Sequence, residues 1–394
     1  MRLLIAGGGT GGHIYPALAV ARSLRERPER PTAPELVWVG GHRGLEADLV
    51  RESGIRVRRL VLRSLRTVDL SVNTVLDPVR LALSVPQAAA ILAAERPAAI
   101  LTTGGYVAVP VLMAAAPLRI PVVLWEGNAI PGRAVRATAR LSDAIAVSYE
   151  RAGRLLAPAN APTYLTGTPI RDVSAISRAD ARARLEVPPD APTVLIFGGS
   201  QAVRRFNAAV AEALPRLVER VHVLHVAGES GYAAALAERE RLPAEVRERY
   251  RPYPFLREDM LAALVATDLV VGRAGSSTLA EVTALAIPSV IVPYPHAGAH
   301  QSANADTLAE AGAARVIPDE AFDADALVAA TDLLFDDAAR GAMSEAARSL
   351  GRPGAAEAVA RLTLALADRK PLPSVEAIEA IARDGAAAAG RGAA

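Results

Sequence analysis

Two stretches, "RLLIAGGGTGGHIYP" (residues 2–16) and "TVLIFGGSQAV" (193–203), share one plan. Each is a short apolar strand, a glycine turn and the start of a helix, the opening unit of a doubly wound α/β domain. Its recurrence predicts two such domains in tandem. "ELVWVG", "AAILTT", "PVVLW" and "DAIAVS" continue the first pattern. "VHVLHVAG", "DLVVGRAG" and "SVIVPYP" continue the second. Val/Ile/Leu runs separated by amphipathic segments predict parallel sheets covered on both faces. The boundary is expected in "YLTGTPIRDVS" (164–174), giving domains over 1–165 and 166–350. Ligands of open α/β sheets gather at the carboxyl ends of the strands. Two such domains facing each other would make a cleft, a common ligand site.

A chain of 394 residues accommodates two domains of this size. It has no cysteine, which excludes a disulfide scaffold, a cysteine nucleophile and thiolate zinc sites. A net charge of +2 gives no reason to expect nucleic acid as a partner. Lys370 is the only lysine, so no glycine loop can be a Walker loop. The opening apolar run is too short for a signal peptide. "YVAVPVLMAAAPLRIPVVLW" (106–125) carries three prolines and Arg119, and reads as helix, turn and strand rather than a membrane span. The expectation is a chain soluble or peripheral to a membrane, with a cytoplasmic catalytic face. Its Ala/Gly-rich end predicts a flexible tail over 371–394.

Gly7, Gly9 and Gly12 fit the dinucleotide fingerprint G-x-G-x-x-G. That reading also needs an acidic residue at the end of the second strand to hold a ribose. The strand ends "VWVGGHRG", and Glu35 stands at its other end. What survives is a row of backbone N–H groups at a helix start, suited to a phosphate or diphosphate. "GRAGSSTLAEV" (272–282) is the strongest second site. Ser276, Ser277 and Thr278 bring hydroxyls and N–H groups to a helix start. Glu281 follows one turn on from Thr278 and can accept two hydrogen bonds from a ribose diol. The plainer alternative is simple N-capping, with Glu281 exposed. "GGSQAVRRFN" (198–207), with Ser200 opening a helix, is a third candidate. His296 and His300 read as loop residues touching substrate or solvent rather than zinc, and His222 and His225 as packing residues of a strand. "DADAL" (323–327) resembles an Asp-x-Asp metal motif but reads better as a helix start.

"GGGTGGHIYPALAVA", "TTGGYVAVP", "WEGNAIPG", "GTPIR", "GGSQA", "GRAGSSTLAE" and "HQSANA" occur in this order. Together they resemble the MurG family of bacterial peptidoglycan N-acetylglucosaminyltransferases, over about residues 1–367. The resemblance implies the GT-B fold, two Rossmann-like domains with a helix over 351–370 returning to the first. It implies inverting transfer of GlcNAc from UDP-GlcNAc to the MurNAc 4-hydroxyl of lipid I, giving lipid II. No cofactor is required by it, and no divalent cation is indicated. Ser200 and the segment Ser276, Ser277, Thr278, Leu279, Ala280 and Glu281 would contact UDP. Leu256 would offer backbone groups to the uracil, and Gln301 would contact the sugar. Thr10, Gly11, Gly12, Asn128 and Arg171 would complete the donor contacts. His13, Tyr106 and Glu126 would lie on the acceptor side. Thr168 stands where the family often has asparagine, and His300 where it often has glutamine.

Transfer builds negative charge on the departing UDP, which the Ser276–Thr278 helix start and Arg171 can stabilise without a metal. The attacking hydroxyl needs a base. Histidine titrates near neutral pH, so His13 is the first choice and Glu126 the second. The lipid-linked acceptor calls for contact with the inner leaflet, and other cell-wall synthesis proteins are further partners in such a setting. The segment 61–92 mixes Arg63, Arg66 and Arg80 with apolar residues including Leu81 and Leu83, and is the expected membrane patch. An amphipathic core helix would give the same composition. Competing readings are a GT-B enzyme for another acceptor, a UDP-GlcNAc epimerase, an NAD-dependent oxidoreductase, and a non-catalytic nucleotide-sugar-binding or scaffold protein.

Overall fold

A computed structural model describes residues 1–8, 11–27, 30–41, 50–62, 72–198, 203–256, 259–295 and 300–384. The chain divides into two compact units, Met1–Arg171 with Arg352–Ala394, and Asp172–Gly351.

The first unit holds a seven-stranded parallel sheet. Its strands are β1 (Arg2–Ala6), β2 (Glu35–Gly40), β3 (Arg56–Arg59), β4 (Ala99–Thr102), β5 (Val122–Glu126), β6 (Ala144–Val147) and β7 (Thr163–Leu165), in the order β3-β2-β1-β4-β5-β6-β7. Alternate residues of one strand feed opposite cores. Leu3 and Ile5 pack into one cluster, Leu4 and Ala6 into another. This two-sided burial is why β1 and its inner neighbours read as unbroken apolar runs. Helices α1 (Gly11–Arg25), α2 (Val72–Glu95) and α3 (Ala108–Ala115) follow β1, β3 and β4.

The second unit repeats the plan with β8 (Thr193–Phe197), β9 (His222–Val226), β10 (Tyr250–Tyr253), β11 (Leu269–Gly272), β12 (Ser289–Ile291) and β13 (Arg315–Val316), all parallel, in the order β10-β9-β8-β11-β12-β13. Val194 and Ile196 face one core, Leu195 and Phe197 the other. Helices α4 (Val203–Val218), α5 (Ser276–Ala284) and α6 (His300–Glu310) carry the motifs of interest. The strand order reverses between β1 and β4 in one sheet and between β8 and β11 in the other. Those switch points are where such sheets bind ligands.

The first unit is completed by chain that comes after the second. Helix α7 (Ala355–Ala367) lies against α1, burying Ala358, Val359 and Leu362 in the core with Val20 and Leu24. Glu357 accepts from Ser23 Oγ (2.8 Å) and Arg27 Nη2 (2.5 Å). Helix α8 (Val375–Asp384) then packs beside β7. The expectation of a flexible tail from residue 371 is therefore corrected for 371–384. Ile378 and Ala382 are fully buried, Tyr164 donates its hydroxyl to Pro373 O (3.2 Å), and Gly354 N donates to Ala382 O (2.9 Å). Burying a side chain the size of Ile378 contributes about 2 kcal/mol, enough to hold a short helix in place. Residues 385–394 lie outside the described residues.

The first unit also runs past residue 165, to Arg171. Thr166 N and Gly167 N donate to Val147 O, and Trp125 Nε1 donates to Gly167 O (3.1 Å). These bonds keep "GTPIR" with β5 and β6.

Candidate active site

In the first unit, two glycine turns flank the switch point. Trp38 Nε1 donates to Gly7 O (3.0 Å), which fixes the exit of β1. Helix α1 then begins at Gly11 with no acidic residue in its first turn. Its leading N–H groups lack intrahelical partners, and the helix dipole favours an anion there. Pro16 lies inside the helix and has no N–H for the Gly12 carbonyl. After β4, Gly104 (φ +79°) and Gly105 (φ +73°) take left-handed conformations that a side chain would oppose. A Cβ on Gly105 would come within 3.6 Å of His13 Nε2 and 3.1 Å of Gly8 O.

His13 is half-buried beside this turn. Its Nδ1 lies 2.6 Å from Thr103 O, and Thr103 Oγ1 donates to His13 O (2.9 Å). A carbonyl can only accept, so Nδ1 carries the proton and Nε2 of the neutral ring presents a lone pair. That is the tautomer a general base needs. Tyr106, also half-buried, sets its hydroxyl against the backbone of Gly41.

Glu126 is buried at the end of β5, and both its oxygens accept hydrogen bonds. Oε1 takes Asn128 N (2.9 Å) and Asn128 Nδ2 (3.0 Å), and Oε2 takes Gly132 N (3.0 Å). The carboxylate shapes the 127–132 loop and orients the Asn128 amide. Ser148 and Thr168 pair through their hydroxyls (2.8 Å) ahead of half-buried Arg171. Glu35 stands at the amino end of β2 and pairs with Arg2 (2.8 Å) and Arg56 (2.6 Å). It is an ion-pair residue, far along the strand from where a ribose would lie.

In the second unit, β11 leads into α5 through Arg273–Gly275. The N-cap of α5 is Gly275, in extended conformation and without a side-chain cap. Ser276, Ser277 and Thr278 therefore fill the first turn instead of capping it, so simple N-capping is excluded. Ser277 Oγ is buried without a hydrogen-bond partner among the described residues. Glu281 is buried, not an exposed helix residue. Leu279 is buried as well, and Ala280 lies on the more open side.

The turn before α5 is held by residues that sequence reasoning did not single out. Arg273 is buried. Its Nη1 donates to Asp319 Oδ1 (2.5 Å) and Val292 O (3.1 Å), and its guanidinium lies over Phe206 (4.8 Å) and Tyr294 (5.3 Å). Asp319 also pairs with Arg205 (3.1 Å). Asn304 Nδ2 reaches Ala274 O (3.4 Å) from α6. The one signal in the sequence was an arginine inside an otherwise apolar strand end, "VVGRAG". Gln301 accepts from Tyr294 N (2.9 Å) through its amide oxygen, which keeps its amide nitrogen as a donor. His300 is the first residue of α6, not a loop residue. Leu256 is buried, while neighbouring Phe255 is exposed.

His225 is the packing residue expected. Asn207 Nδ2 donates to Ala227 O (2.9 Å), so its oxygen faces His225 Nε2 (3.1 Å), which must carry the proton. Tyr250 O–H then donates to Nδ1 (2.9 Å). A neutral ring satisfies all of these hydrogen bonds, and burial pushes the pKa down to about 3. Asp323 caps a helix through Ala326 N (2.9 Å), and Asp325 pairs with Arg216 (2.8 Å), so "DADAL" is a helix start. Among the described residues no His/Cys/Asp/Glu group could hold a metal ion. Thr10 and Ser200 lie outside the described residues, as do Gly9 and His296.

The N-terminal domain of glycosyltransferase family 28 matches residues 3–147, and its C-terminal domain matches 193–361. The UDP-N-acetylglucosamine–N-acetylmuramyl-(pentapeptide) pyrophosphoryl-undecaprenol N-acetylglucosamine transferase of Desulforamulus reducens is 37% identical over 366 residues, covering 90% of this chain and 96% of its own. The enzyme of the same name from Lactiplantibacillus plantarum is 38% identical over 361 residues, 91% of this chain and 97% of its own. The crystal structure of Acinetobacter baumannii MurG superposes with a TM-score of 0.70 at 26% identity, covering 92% of this chain and 99% of that one. A UDP co-structure of S. aureus MnaA shares the fold alone, at 15% identity and a TM-score of 0.65. Two parallel α/β units of the GT-B type, with a glycine turn at each switch point, place the chain in glycosyltransferase family 28, among the MurG N-acetylglucosaminyltransferases.

Proposed function

We propose that this chain moves GlcNAc from UDP-GlcNAc to the MurNAc 4-hydroxyl of lipid I, with His13 as the general base. The bond from the anomeric carbon to the β-phosphate oxygen breaks, and the bond to the muramyl oxygen forms on the opposite face. The proton of that hydroxyl passes to His13 Nε2. The observation that carries this assignment is the His13 Nδ1 contact with Thr103 O, which leaves Nε2 as the acceptor. Glu126 is the weaker candidate, because taking a proton would disturb the loop its oxygens hold.

The first turn of α5 receives the donor diphosphate. Its N–H groups and the hydroxyls of Ser276, Ser277 and Thr278 offset the charge that grows as UDP departs. Glu281 takes the ribose diol and Gln301 the sugar, while Leu256 flanks the uracil. Thr10, Gly11, Gly12, Asn128, Arg171 and Ser200 complete the donor contacts, and Tyr106 the acceptor contacts. The motifs call for no cofactor.

The acceptor's lipid is met at the surface by an apolar stripe on α2. Val79 and Leu83 are exposed (52% and 59%) one turn apart, and Gln87, a further turn on, binds Val61 N (2.8 Å) and Arg59 O (3.0 Å). Val61 is itself 53% exposed, and Arg59 two residues before it is exposed as well, while Arg58 pairs with buried Glu95 (2.7 Å). Leu81 belongs to the underlying core instead. Arg63 and Arg66 lie outside the described residues. Among those described, no helix is long and apolar enough to cross a membrane. The stripe supports peripheral contact with an anionic leaflet.

The test is a transfer assay with radiolabelled UDP-GlcNAc and a lipid I analogue. His13→Ala should lower kcat by roughly 10²–10⁴-fold, the range for removing a general base. Glu281→Ala should chiefly raise KM for UDP-GlcNAc. Absence of transfer by the wild type overturns the reaction; normal turnover in His13→Ala overturns the base.

A further inference from the structure

We propose that Thr103 is the positioning residue for His13, fixing both its tautomer and its ring orientation. The proposal rests on His13 being the base. Every polar group of Thr103 is engaged. Its N–H donates to Ala6 O (3.1 Å) at the end of β1, its carbonyl takes His13 Nδ1 (2.6 Å), and its hydroxyl donates to His13 O (2.9 Å). The residue is 2% exposed, so water does not compete for these bonds. Thr103 thus grips His13 at the backbone and at the ring together, and ties both to the central strand.

The two bonds have different tasks. The carbonyl selects the Nδ1–H tautomer, because it cannot donate. The hydroxyl holds the first turn of α1 at the distance where that selection works. Without it, the bond from His13 Nδ1 to Thr103 O loses its support from the backbone of α1, and the ring can rotate away from the carbonyl. The chain makes room for this grip. A Cβ on Gly7 would lie 2.5 Å from Thr103 Oγ1, so the first glycine of the opening loop serves Thr103 rather than a phosphate. Gly105, on the other side, is called for by its φ of +73°, and a Cβ there would make only ordinary contact with the ring, 3.6 Å from Nε2.

The experiment compares wild type, Thr103→Val and Thr103→Ser, each full-length and labelled with ¹⁵N-histidine. His13→Gln identifies the signals of His13 among the six histidines. At alkaline pH the wild type and Thr103→Ser should show a pyrrole-type Nδ1 and a pyridine-type Nε2. Thr103→Val keeps the side-chain shape and should show averaged signals from both tautomers. In the transfer assay it should lose about tenfold in kcat, the order expected for one positioning hydrogen bond. KM for UDP-GlcNAc should not move, and Thr103→Ser should restore kcat. Two results overturn the proposal. One is an unchanged Nδ1–H signal in Thr103→Val, whatever its activity. The other is an Nε2–H tautomer in the wild type. Retained transfer by His13→Ala would remove the base reading, and the labelled spectra would still decide whether Thr103 sets the tautomer.

Discussion

Single residues carry the chemistry in two ways, by touching ligand and by holding those that do. Arg273 and Asp319 hold the turn that leads into α5, where we place the donor. Their pair is largely buried, so removing the carboxylate strands a cation among carbonyls and aromatic rings. Asp319→Ala should destabilise the protein by about 3 kcal/mol, read as a shift in the urea midpoint. An unchanged midpoint would show that the Val292 and Pro293 carbonyls and the rings suffice for Arg273. The strand-to-helix turn that opens α5 was legible in the sequence, because Gly275 followed by Ser276, Ser277 and Thr278 at the end of an apolar run already implies a helix start. The roles of Thr103, Glu126 and Arg273 were not. Each depends on a partner brought close by folding, such as His13 and Thr103, 90 residues apart.

At the scale of elements, all nine inner strands could be read as apolar runs, and all four edge strands escaped. Among the described residues, β3 ("RVRR"), β7 ("TYL"), β10 ("YRPY") and β13 ("RV") each pair on one side only. An edge strand needs less apolar surface, and arginine or proline there discourages pairing with another chain. Helix ends show a similar economy. Ala286, just past α5, sits at φ +52°, where glycine is the usual residue. Ala286→Gly should raise stability by about 0.5–1 kcal/mol, measurable by thermal melting; a lower Tm would mean that the unfolded chain's added freedom outweighs the relieved strain. Helix α2 makes the corresponding case for the membrane. Val79→Ser/Leu83→Ser leaves the core residues Leu81, Ala88 and Leu92 in place. It should abolish flotation with anionic liposomes without altering the fold, and unchanged flotation would remove the stripe as the membrane contact.

For the whole molecule, the buried chain Tyr250–His225–Asn207 links stability to pH. His225 titrates near 6.5 when unfolded and near 3 when folded. The unfolded state therefore binds the extra proton between those values. Stability present above pH 6.5 should fall as pH drops through that window, by about 1.4 kcal/mol per pH unit from this residue. Denaturation midpoints of wild type and His225→Gln across the window should diverge in slope; parallel slopes would mean that His225 is protonated in the folded protein. The return of α7 to α1 has a consequence for synthesis. Ser23 and Arg27 emerge from the ribosome long before Glu357, which lies 334 residues after Ser23. The apolar face of α1 must wait through translation of the whole second unit. That unit is continuous in sequence and can close first, so the chain is built from its middle outward and its beginning is sealed late.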